Sequence, residues 1–106
     1  MSSFLKYQIL QFPLIIEATN NNGTELTQFQ VYEGDTKLLL GDDRKTTNKH
    51  FSVGEVIPLI RVTKDGYTEA LKTNYTIIDG NNTISVDMPI KVVSLIFYFS
   101  RVIMLF

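Results

Sequence analysis

Apolar and polar residues alternate with a period of two through the middle of this chain. Phe29 and Val31 fall on one face while Gln28 and Gln30 take the other. Ile60 and Val62 alternate with Arg61 and Thr63, and Ile84, Val86 and Met88 alternate with Thr83, Ser85 and Asp87. Successive side chains of a strand point to opposite faces, so each run predicts a strand with one buried and one solvated side. On this pattern strands are expected near residues 5–12, 14–18, 27–32, 36–40, 49–53, 56–64, 75–79, 83–88 and 91–99.

The segments between these runs carry turn chemistry. Asn20-Asn21-Asn22-Gly23, Glu33-Gly34-Asp35, Asp65-Gly66 and Asp79-Gly80-Asn81-Asn82 supply residues that tolerate positive φ or bond their own backbone. Pro13 and Pro58 cannot donate a ladder hydrogen bond, so they are expected at strand starts, edges or bulges. Pro13 is expected to divide the first apolar stretch into two strands. Thr68-Glu69-Ala70-Leu71-Lys72 is the one stretch with helical character, capped by Thr68. So short a helix needs tertiary support, and strand or irregular structure is the favoured reading.

Short strands punctuated by regular turns are the mark of a sandwich or barrel. The predicted fold class is all-β: an immunoglobulin-like antiparallel β-sandwich of about seven to nine strands with apolar terminal strands. Residues 1–106 are read as one domain, a common size. Residue choice agrees, because Ile, Val, Thr, Phe and Tyr are frequent and Ala occurs only at Ala18 and Ala70.

Charge narrows the partners. Ten basic and eleven acidic residues leave a net charge of -1. No strong field draws in nucleic acid or an anionic membrane. The densest basic cluster, Arg44, Lys45 and Lys49, follows Asp42 and Asp43. The chain has no cysteine, which excludes disulfides, thiolate catalysis and cysteine-ligated metal. Residues 1–7 lack the basic and apolar regions of a secretory signal. The glycosylation patterns at Asn22, Asn74 and Asn81 are therefore read as loop asparagines.

Little in the chain points to catalysis, and the expectation is a protein that is not an enzyme, with no cofactor and no metal. His50, the single histidine, has no placeable partner and reads as a surface strand residue. Asp42-Asp43 and Asp79-Gly80-Asn81 read as turn formers rather than calcium ligands, since no EF-hand spacing is present. The glycines are scattered singly, with no phosphate-binding loop.

The residues from Ile16 to Met88 resemble carboxypeptidase-regulatory-like and PEGA-type domains, a branch of the immunoglobulin-like sandwiches. The similar pieces are Ile15-Ile16-Glu17-Ala18, the Asn22-Gly23 turn, Gln28-Phe29-Gln30-Val31-Tyr32, His50-Phe51-Ser52-Val53-Gly54 and Arg61-Val62-Thr63-Lys64-Asp65-Gly66-Tyr67. They cover about two thirds of the chain, and each is also common in β-hairpins. The resemblance implies an accessory, binding or spacer module. The chain departs from it in the apolar residues 4–12 and 92–106.

The apolar ends carry the functional expectation. Residues 90–106 are apolar on both faces, as a strand covered on both sides is. Lys91 and Arg101 interrupt them, and they fall short of the ~20 apolar residues of a membrane span. Residues 89–106 therefore read as a core strand, an interface or a strand-exchange tail. Phe4, Leu5, Tyr7, Phe97, Tyr98, Phe99, Val102, Ile103, Leu105 and Phe106 are the candidate partner-binding residues. The expected function is structural: a homo- or hetero-oligomeric assembly protein of a bacteriophage virion, in capsid decoration, a head fibre or a tail. The alternative is a carbohydrate- or cell-surface-binding module that uses Tyr32, Tyr67 and Tyr75.

Overall fold

A computed structural model of the chain describes residues 10–91. Seven strands form: β1 (Gln11–Thr19), β2 (Gln30–Glu33), β3 (Thr36–Leu38), β4 (Thr46–Ser52), β5 (Val56–Thr63), β6 (Ala70–Thr76) and β7 (Asn82–Asp87). They build two sheets, of order β4-β1-β7 and β3-β2-β5-β6. This is the all-β, two-sheet sandwich that the turn spacing predicts. The expected strand at 91–99 and most of that at 5–12 lie outside the described residues.

The core lies between the sheets. β1 contributes Leu14, Ile16 and Ala18, β4 Phe51, and β7 Ile84. The facing sheet contributes Val31, Leu38, Ile57, Ile60 and Val62. Leu26, Phe29, Ile77 and Met88 close the ends of this layer from segments between strands. Each fully buried side chain of this kind contributes roughly 1.5–3 kcal/mol relative to exposure. The alternations at 29–31, 60–63 and 83–88 point as the pattern demands, with the apolar member inward each time.

Pro13 does not divide the first apolar run. β1 is one strand, and its register against β4 shifts between Pro13 and Ile15. The bulge leaves the Leu14 N–H without a strand partner, and the Thr47 hydroxyl accepts it at 2.9 Å. Thr47 is itself buried and donates to the Lys49 carbonyl at 2.8 Å. Pairing with β7 starts only at Leu14, so Pro13 costs that ladder nothing. Pro58 sits within β5 but beyond the reach of β2, opposite Asn74, whose φ is 51°. The inward face of β5 changes phase there, since Ile57 and Ile60 are both buried.

The strand expected at 75–79 is displaced: β6 runs from Ala70 to Thr76, paired with Val56–Val62 of β5. Thr68–Lys72 is irregular and then strand, as its favoured reading expects. The pairing is also not wholly antiparallel, because β7 runs parallel to β1 from Leu14–Asn82 to Thr19–Asp87. Parallel neighbours need a long crossover, and β2 to β6 supply it.

The two ends of the described chain lie at opposite poles of the sandwich. Leu10 accepts a hydrogen bond from Val53 N, in the turn between β4 and β5. At the far pole Met88 N donates to Thr19 O, Thr68 N to Pro89 O, and Lys91 N to Gly66 O. The chain thus crosses from one sheet to the β5–β6 turn of the other before residue 92.

Candidate functional site: an apolar pole and its surroundings

The Leu10 pole is built from three segments. The Ser52–Val56 turn is closed by Glu55 N to Ser52 O, and Gly54 takes the φ of 92° that the turn needs. Gly54 N donates to Ile77 O and Ile77 N to Glu55 O, which locks the β6–β7 connection onto the turn. Ile77 points inward and is buried, so its neighbour Ile78 points outward. Four large apolar residues are left exposed here: Leu10 (53%), Val53 (41%), Val56 (51%) and Ile78 (52%). Exposed aliphatic side chains brought to one end of a small domain make that end a candidate contact surface.

A buried asparagine organises the floor of this pole. Asn82 is 0% exposed. Its Oδ1 accepts from Ile78 N at 2.8 Å and from the Tyr75 hydroxyl at 2.9 Å. Its Nδ2 donates to Ile78 O at 3.0 Å and to Gly80 O at 3.2 Å. The amide is thereby satisfied on both sides and sets the turn that presents Ile78. Burial pushes the Tyr75 phenol up from its ordinary pKa.

The outer face of the four-stranded sheet holds a different cluster. Lys37, Tyr32, Arg61 and Leu71 pair in one row across β3, β2, β5 and β6. The Arg61 guanidinium lies 4.9 Å from the Tyr32 ring centre. It donates to Glu69 Oε2 at 2.6 Å and to Gly34 O at 3.0 Å, with Asp35 at 3.5 Å. Glu69 above all holds the Arg61 proton more tightly than usual. The cation is thus already neutralised by its own carboxylates.

A shallow cleft of about 300 Å³ is lined by Glu17, Ala18, Thr19, Glu25 and Lys45. Lys45 pairs with Glu25, which raises its pKa. Beside it, the Asp43 carboxyl is held down to about 2, first by the Thr46 hydroxyl and then by the N–H groups of Lys45 and Thr46. Asp43 is the turn former the sequence suggests. His50 is exposed, with Nδ1 3.1 Å from Asn48 O. Among the described residues no three His, Cys, Asp or Glu side chains gather in a group able to hold a metal, and no helix is long and apolar enough to cross a membrane.

The three candidate ligand tyrosines do not share a surface. Tyr32 is on the outer face beneath Arg61, whereas Tyr67 and Tyr75 pack against the core. Phe4, Leu5, Tyr7, Phe97, Tyr98, Phe99, Val102, Ile103, Leu105 and Phe106 lie outside the described residues. The sequence reading missed the apolar pole and Asn82. The sequence carried no signal for the pole: Val56 shares the parity of Ile60 and Val62, so alternation alone assigns it to the core, and only the change of phase near Pro58 turns it outward. Asn82 looked like one more turn asparagine.

No protein-family model, curated protein or solved structure matches this chain.

Proposed function

We propose that this chain is a non-enzymatic structural module that works through contacts with other protein chains in a larger assembly. The observation that carries the reading is the exposed apolar pole of Leu10, Val53, Val56 and Ile78, held rigid by the Asn82 network. Apolar side chains left in water at the end of a well-packed sandwich gain from being covered by a partner. The opposite placement of Leu10 and Lys91 adds to it, because the described chain begins and ends at different poles, beside the stretches 4–12 and 92–106 that the sequence marks as apolar. A repeated module of a bacteriophage virion is the assembly this proposal names. The carboxypeptidase-regulatory-like resemblance belongs to the same proposal. It is supported by the Asn22-Gly23 turn between β1 and β2 and the Lys64–Tyr67 turn after β5, with Gly23 at φ 82° and Gly66 at φ 87°.

Light scattering on the full chain tests the reading. A multimer is expected, and Val53→Lys with Ile78→Lys should lower its mass while leaving the β-sheet spectrum intact. A mass unchanged by these substitutions removes the pole from the assembly.

A further inference from the structure

We propose that the open edge of β7 pairs antiparallel with β7 of a second copy of this chain. The inference rests on the assembly reading above and names one of its surfaces and partners.

Sheet edges invite pairing, and proteins guard them with short strands, charge, proline, bulges or a covering segment. Three of the four edges among the described residues are guarded. β4 is covered by the stretch after β3, with Asn48 N donating to Leu39 O and Gly41 N to Thr46 O. β3 is only three residues long. β6 carries Lys72 and the positive φ of Asn74. Among the described residues β7 is the least guarded, its one charge being Asp87 at the last position. Between Asn82 and Asp87 it reads Thr-Ile-Ser-Val, with no charge, proline or glycine, and it pairs with β1 without a bulge. Its other side has no strand partner among the described residues.

The residues of β7 suit a copy of themselves. Thr83, Ser85 and Asp87 are exposed on one face, while Ile84 is buried and Val86 half-buried on the other. Cross-strand neighbours must share a face. An antiparallel pair centred on Ser85 opposite Ser85 meets that condition. It sets Ile84 opposite Val86 on the inner side, extending both cores. On the outer side it sets Thr83 opposite Asp87, a hydroxyl facing a carboxylate. A parallel pair would align Asp87 with Asp87, which is destabilising. The two-fold contact closes on itself and joins the two three-stranded sheets into one continuous sheet.

The full chain contains no cysteine, so a single introduced thiol reports the contact. Residues directly opposite in an antiparallel pair have Cα atoms about 4.5–5.5 Å apart, within disulfide reach. Under mild oxidation Ser85→Cys should give a covalent dimer, while Thr73→Cys on the β6 edge should stay uncrosslinked. By light scattering Ser85→Lys should lose this dimer, because lysine would face lysine. Thr83→Lys should retain it, because lysine would face Asp87. A multimer that ignores Ser85→Lys, with no crosslink at Ser85→Cys, overturns the β7 contact and leaves the assembly reading standing. A full chain that is monomeric and does not crosslink removes both.

Discussion

The Tyr75 hydroxyl donates a 2.9 Å hydrogen bond to Oδ1 of Asn82, tying the exposed-edge strand β6 to the first residue of β7 in the other sheet. The same oxygen accepts Ile78 N, so one buried amide joins the two sheets and shapes the turn between them. Removing the amide leaves buried donors unpaired, whereas removing only the phenol leaves the amide with its backbone bonds. Asn82→Ala should therefore cost about 1–3 kcal/mol, and Tyr75→Phe about 0.5–1.5 kcal/mol. Urea unfolding of the two variants and of the double variant checks both values. The double variant should cost less than the two single effects together, because they share one bond.

The β1 bulge makes a second test. Thr47→Val keeps the shape of the side chain but leaves the Leu14 N–H without its acceptor. A loss of about 1–3 kcal/mol is expected. Thr47→Ser retains the hydroxyl and should cost less. A larger loss in Thr47→Ser than in Thr47→Val would show that the methyl group, not the hydrogen bond, matters here.

Acid should act on Asp43. Its folded carboxyl titrates near 2 against an ordinary value of 3.8. A carboxyl depressed by folding contributes stability that is fully present above its ordinary pKa and is lost as pH falls through the folded one. The contribution thus fades between about pH 4 and pH 2. Asp43→Asn should lower the thermal midpoint near neutral pH, and its difference from the native chain should shrink across that window. A difference constant with pH would remove Asp43 as its source.

The Arg61 network should prove weak. The side chains of Arg61, Glu69 and Asp35 are 28%, 40% and 106% exposed, and solvent screens such pairs. Glu69→Gln should change stability by no more than about 1 kcal/mol, and by less in high salt. Thermal melts at two salt concentrations check this.

Much of the sandwich is legible in residue order. The alternation at Phe29–Val31, Ile60–Val62 and Ile84–Met88 fixes which side of each strand is buried, because side-chain direction in a strand is a local property of the backbone. Gly23, Gly54, Gly66 and Gly80 sit at positive φ in turns, and Asp43 bonds its own turn, again by local chemistry. What residue order did not determine depends on contacts far along the chain. Pro13 is accommodated within β1 because Thr47, thirty-three positions after Leu14, accepts the displaced Leu14 N–H. The stretch 70–76 is strand because β5 offers it a ladder. β7 lies parallel to β1 because the connection from β6 returns it to the pole where β1 begins. Asn82 is chemically identical to the solvent-facing Asn81 beside it, and only the meeting of two sheets buries the one and exposes the other. The apolar pole has the same origin: Leu10, Val53, Val56 and Ile78 are separate in sequence and come to one end of the sandwich when backbone hydrogen bonds gather three segments there.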